Sequence, residues 1–198
     1  MLKRRIFFSL VLFFALTLFI KPAQAANPRM KSLQLQQRKT YRDFSINESA
    51  ALRKFVTSIK RMAPAVRKTA VTEYKQILKQ KKVLFLNLIK QQRRILSGKD
   101  KRLKCSLGEL KMGELMMFFE VQLQDMLQNF NNQAYSAVNF ARRFSIDKAL
   151  TIKQKQQAVQ GYFKEDKEEN ELINQRQKIE LEKELEKLCR GILREQKG

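Results

Sequence analysis

Histidine and tryptophan are absent from this 198-residue chain, which also has only two cysteines, three prolines and six glycines. Without histidine it lacks the side chain that most often serves as a base near neutral pH and is the commonest metal ligand. Serine triads, zinc sites and papain-like pairs thereby lose their natural partner. No Cys-x-x-Cys, glycine-rich phosphate loop or paired-carboxylate motif takes their place. The sequence is therefore read as that of a non-enzyme needing neither cofactor nor metal. So few glycines and prolines also argue against a loop-rich or all-β protein. Acidic residues are scarce too, with 19 Asp and Glu against 41 Lys and Arg, a formal net charge of +22.

Long apolar runs are missing after the first 25 residues. Met1 to Ala25 has the three parts of a secretory signal: Lys3, Arg4 and Arg5, then the apolar run from Ile6 to Ile20, then Pro22-Ala23-Gln24-Ala25. Ala23 and Ala25 provide the small side chains that signal peptidase requires, which predicts cleavage after Ala25. The apolar run is shorter than the roughly 20 residues that span a bilayer as a helix. A periplasmic or secreted bacterial protein is expected, its remaining residues enough for one domain with a real core.

The positive charge is uneven. Ala26 to Asp100 has 19 basic and four acidic residues, Lys101 to Lys164 ten and five, and Glu165 to Gly198 eight and ten. Such a dipole favours anionic partners with salt-dependent affinity.

Helical periodicity dominates the rest of the chain. Residues 26–44 are rich in Gln, Lys and Arg without a clean period and are expected to form a flexible basic arm, leaving 45–198 as a single helical domain. Ser45-Ile46-Asn47-Glu48 has capping-box spacing. Leu52, Phe55, Val56, Ile59 and Met62 then recur at three and four residues. Pro64 predicts a break near Ala63, and a second stripe runs from Ala70 to Leu96 and ends at Ser97-Gly98. Ser106-Leu107-Gly108-Glu109 repeats the capping-box spacing before a helix to about Phe144. A shorter helix over 146–163 and a charged one over 165–195 complete the reading. The fold class expected is all-α: an elongated antiparallel bundle of about four to five helices, with long ones near 65–96, 107–144 and 165–195.

Cys105 and Cys189 are expected to form a disulfide, since antiparallel helices would bring them to the same end of the bundle. Glu120 lies among apolar neighbours and is expected to bridge to a lysine or arginine of an adjacent helix. Met112, Met116, Met117 and Met126 are expected in the core rather than in a soft-metal site. The candidate partner-binding residues are Arg53, Lys54, Lys60, Arg61, Arg67, Lys68, Lys75, Lys79, Lys82, Lys90, Arg93 and Arg94, the cations flanking the two apolar stripes. With no groove-reading or base-stacking arrangement beside them, nucleic acid is the less favoured partner.

Leu150-Thr151-Ile152-Lys153-Gln154 resembles the Leu-Thr-x-x-Gln motif of small periplasmic helical chaperones of the Spy and CpxP kind, here in one copy where that family usually has two. The resemblance implies a chaperone activity in the envelope. The function expected is that of an exported helical adaptor, assembly component or chaperone holding an acidic or amphipathic protein, or an anionic envelope surface, with a homo-oligomer as one possible form. The alternative is a secreted effector or toxin-like protein acting on anionic membranes, distinguished by release from negatively charged vesicles.

Overall fold

The computed structural model describes residues 28–195. The expected signal segment and its cleavage site lie outside these residues. The chain divides into two units between Leu35 and Gln36, and the first is described only for Pro28–Leu35, the first turns of helix α1.

Four α-helices and one 3-10 turn account for the described secondary structure: α1 (Pro28–Ser58), the turn Ile59–Arg61, α2 (Pro64–Leu96), α3 (Glu109–Ile146) and α4 (Ile152–Glu195). Within the second unit they run up, down, up and down. Phe44 packs on Phe85 and Phe55 on Tyr74, with ring centroids 5.0 and 4.1 Å apart, so α1 and α2 are antiparallel. Gln133 bonds Glu169 and Gln122 bonds Gln177, which makes α3 and α4 antiparallel. The all-α antiparallel bundle is as the periodicity predicts.

The expected arm is not an arm. Helix α1 is continuous from Pro28 through Ser58, with Gln37 and Phe44 fully buried and Tyr41 stacked on Phe85. Its apolar residues are too sparse to show a stripe, because glutamine fills a core position. The unit boundary accordingly lies at Leu35, not near Ser45. Ser45 is an interior helix residue whose carbonyl accepts a bond from the Ser49 hydroxyl, so the first capping box starts nothing. The second is also unused: α3 has Gly108 at its N-cap and no side-chain cap bond.

The break at Ala63 and the stop at Gly98 are where the sequence places them. Gly98 has φ +68°, the left-handed conformation that glycine adopts without a Cβ penalty, and its N–H donates to the Ile95 carbonyl at 2.9 Å. In the connector between α2 and α3, Asp100 accepts three bonds from Arg102, through its backbone N–H, Nε and Nη2, each 2.9 Å. Those bonds, chiefly the guanidinium ones, hold the Asp100 carboxyl at about 2, below its ordinary 3.8.

The two helices expected over 146–163 and 165–195 are one, the 44-residue α4. Its start explains the Leu-Thr-x-x-Gln sequence. Gln154 Oε1 accepts from the Thr151 backbone N–H at 2.9 Å, and Thr151 Oγ1 accepts from the Gln154 N–H at 3.3 Å. Two orphan donors are thus satisfied reciprocally, which is a capping box. Thr151→Ala should lower stability by about 1 kcal/mol and Thr151→Ser should restore most of it, read as the midpoint of thermal unfolding. Equal midpoints for all three would mean that the cap bond contributes nothing.

Two apolar clusters of the core are separated along α2. One contains Phe55, Ile59, Val66, Tyr74, Ile77 and Phe163 with their neighbours, and the other Phe44, Phe85, Leu88, Leu123, Met126 and Phe130. Between them on α2 lies Lys81, only 2% exposed.

Candidate functional site

Helix α2 presents most of its cations away from the core. At 100° per residue, Lys68, Lys75, Lys79, Lys82, Lys90 and Arg93 fall within an arc of about 80° on the side away from the buried row. That buried row includes Val66, Ala70, Tyr74, Lys81 and Phe85. Between Pro64 and Leu96 the only carboxylate is Glu73, half-buried and raised above its ordinary value by that burial. None of the twelve candidate cations has a carboxylate within 4 Å among the described residues.

The twelve do not share one face. Arg53 points opposite the buried row of α1, and Lys60 and Arg61 sit at the turn between the first two helices. Arg67 is half-buried and donates from Nη1 to the Lys60 carbonyl at 2.8 Å, tying the turn to the start of α2. Arg94 donates from Nε to the Lys99 carbonyl at 3.5 Å. These two fasten the ends of α2, whereas the other candidate cations on this helix are exposed apart from the half-buried Arg93.

Helix α4 is the electrostatic opposite. Lys164–Glu168, Lys167–Glu171 and Arg176–Glu180 pair at 3.8 Å, Lys187–Glu184 at 3.3 Å, and Arg190 bonds Glu186. Such surface pairs stabilise a helix by only a few tenths of a kcal/mol each, but they neutralise its outer field. On α2, by contrast, the outward cations have no carboxylate within 4 Å among the described residues. Between the two helices runs a groove of about 360 Å³ with Ile77, Val83 and Leu84 in its floor and Lys79 and Lys167 at its rim. Val83 is 48% exposed there.

Buried polar groups cross the bundle at several levels. Lys81 Nζ lies 3.3 Å from both carboxylate oxygens of Asp166, and Asn170 Nδ2 bonds the same carboxylate. Burial pushes Lys81 below and Asp166 above their ordinary values, and each partner's charge opposes that shift. Glu48 and Glu169 act on Lys81 from further away. Gln37 bonds Gln92 at 2.7 Å, while Gln122 and Gln177 each donate to the other's backbone carbonyl. The Tyr162 hydroxyl, facing Asp166 and Glu169, is pushed up to about 12, mainly by burial.

Sequence reasoning missed Lys81 as a buried group, although its position three after Leu78 and four before Phe85 puts it on the apolar stripe. Glu120 does not bridge to a cation as expected; it accepts a bond from the Gln36 side chain at 2.5 Å. The methionines disperse, with Met126 in the core and Met117 71% exposed. The Cys105–Cys189 disulfide is present, with Cα atoms 5.5 Å apart. Among the described residues no three His, Cys, Asp or Glu side chains are grouped to hold a metal, and no helix is long and apolar enough to cross a membrane.

The chain matches no known family model, no curated protein and no solved structure.

Proposed function

We propose that this protein is an exported, non-catalytic helical adaptor, assembly component or chaperone of the bacterial envelope, which holds an acidic or amphipathic protein partner against the outer face of α2. The observation that carries this reading is the contrast between α2, whose outward cations lack carboxylate partners, and α4, where Lys164, Lys167, Arg176, Lys187 and Arg190 each pair with a glutamate of the same helix. An unneutralised basic stripe attracts anions, and self-repulsion along the helix costs stability that a bound anionic partner would relieve. The adjoining groove adds an apolar floor with Lys79 on one rim and the Lys167–Glu171 pair on the other. A partner segment with a carboxylate beside an apolar residue fits that combination. The disulfide supports an oxidising compartment.

Capture of binding partners by the cell-processed protein, at low and moderate salt, tests the reading. A quadruple change, Lys68→Glu, Lys75→Glu, Lys79→Glu and Lys82→Glu, should reduce partner recovery at least about tenfold, since like-charge contacts cost several kcal/mol. All four side chains are exposed, so helicity should be unchanged. Recovery of the same partner by the reversed protein would overturn the proposal. Capture of anionic lipid alone, with release from negatively charged vesicles, would replace it with the membrane-active alternative.

A further inference from the structure

From Met112 to Ala141 the chain has thirty consecutive residues without lysine or arginine, in a protein of net charge +22. This stretch is the body of α3. Its outward face is also unusually apolar: Leu110, Met117, Val121, Tyr135 and Ile146 are 76, 71, 59, 71 and 70% exposed. With Gln128 they fall within an arc of about 40° at 100° per residue, opposite the row that includes Leu115, Phe119 and Met126. Depletion of charge together with exposed methionine, tyrosine and aliphatic side chains is the composition of an interface centre.

The spacing along this face identifies its occupant. Val121 and Tyr135 lie seven residues either side of Gln128, Glu114 and Arg142 fourteen, and Leu110 and Ile146 eighteen. When two identical helices pack antiparallel about a two-fold axis, residues equidistant from the axis face each other. An axis at Gln128 therefore sets Val121 against Tyr135 of the second copy, Leu110 against its Ile146, and Glu114 against its Arg142, each contact made twice. Seven and fourteen residues are whole heptads, so these positions stay on one seam along the helix. In a parallel pair the same groups would meet their own copies, Glu114 on Glu114 and Arg142 on Arg142. Charge thus selects the antiparallel arrangement. Arg142 is exposed and has no carboxylate within 4 Å among the described residues, while Glu114 touches only Lys111, at 3.5 Å.

We infer that two copies of this chain pair through the outer face of α3, antiparallel, about a two-fold axis at Gln128. The seam from Leu110 to Ile146 is roughly 54 Å long. Its central thirty residues, Met112 to Ala141, let two strongly basic molecules meet without bringing cations together there. Pairing through α3 leaves the outer face of α2 free on both copies. It does not depend on what α2 binds.

Sedimentation equilibrium of the cell-processed protein should show a monomer–dimer equilibrium. Gln128→Lys places two cations on the axis and should raise the dissociation constant at least about tenfold. Glu114→Arg should weaken pairing and the swap Glu114→Arg/Arg142→Glu should restore it. Gln128→Cys should give a covalent dimer under oxidising conditions, since the native cysteines are already paired. Circular dichroism confirms that each variant is folded. A monomer at every concentration would overturn the inference. So would association that is indifferent to Gln128→Lys, a swap that fails to restore pairing, or a dimer abolished by the α2 reversals instead.

Discussion

Replacing Cys105 and Cys189 together by serine is expected to cost about 4–5 kcal/mol of stability, by the loop entropy of an 84-residue separation. With typical domains stable by roughly 5–15 kcal/mol, this is one of the two largest effects expected here. The closed loop takes in all of α3 and most of α4. Breaking it frees the unfolded chain more than it alters the native contacts, because Leu115, Leu185 and Leu188 are buried at the same end regardless. The signature is a lower denaturant midpoint with native helicity unchanged and a steeper denaturant dependence, as the uncrosslinked unfolded state exposes more surface. A loss below about 1 kcal/mol would mean that strain or residual structure in the unfolded chain offsets the loop entropy.

The helices α2 and α3 were legible in the sequence because their apolar residues recur with the helical period and their ends carry strong punctuation at Pro64 and Ser97-Gly98. The boundaries that failed did so for identifiable reasons. Helix α1 buries Gln37 beside Gln92, so a search for apolar stripes passes over its first half. The junction expected near Lys164 does not exist because Asp166 and Asn170, which look like turn residues, are spent inside the bundle on Lys81 and on each other. Ser45, Ser106 and Thr151 all have the spacing of a capping box, but Ser45 lies inside α1 and Ser106 two residues before the Gly108 N-cap of α3, so only Thr151 stands at the cap position itself. The proposed binding face was legible as composition and not as geometry. Twelve cations could be counted from the sequence, but separating those that fasten the chain, such as Arg67 and Arg94, from those that face solvent required the fold. The opposite holds for α3: its thirty residues without a cation are plain in the sequence, yet they acquire meaning once Met117, Val121 and Tyr135 are seen to face outward.

Lys81 and Asp166 give the second large effect. Lys81→Met or Asp166→Ala alone should destabilise by about 3–5 kcal/mol, because each leaves an uncompensated charge where the side chains are 2% and 7% exposed. Lys81→Met combined with Asp166→Leu should come close to wild type or exceed it, since the desolvation of both ions disappears together. The pair lies between two apolar clusters, and that position suggests what it is for: a slide of α2 against α4 by one turn would strand both charges against hydrocarbon, so the ion pair fixes register. The single variants carry opposite pH signatures. Asp166 is already raised above its ordinary 3.8, and without Lys81 it rises further. The native state then binds more protons than the unfolded one between 3.8 and that raised value, so the stability of Lys81→Met falls as pH increases through this window. Lys81 is lowered below 10.5, more so in Asp166→Ala, where only Glu48 and Glu169 still favour its charge. There the unfolded state binds more protons between the lowered value and 10.5, and stability rises with pH. Denaturant midpoints of the two variants across acid and alkaline buffers should therefore slope in opposite directions. Parallel slopes, or a double variant as unstable as the singles added together, would show that Lys81 and Asp166 do not act as a buried pair.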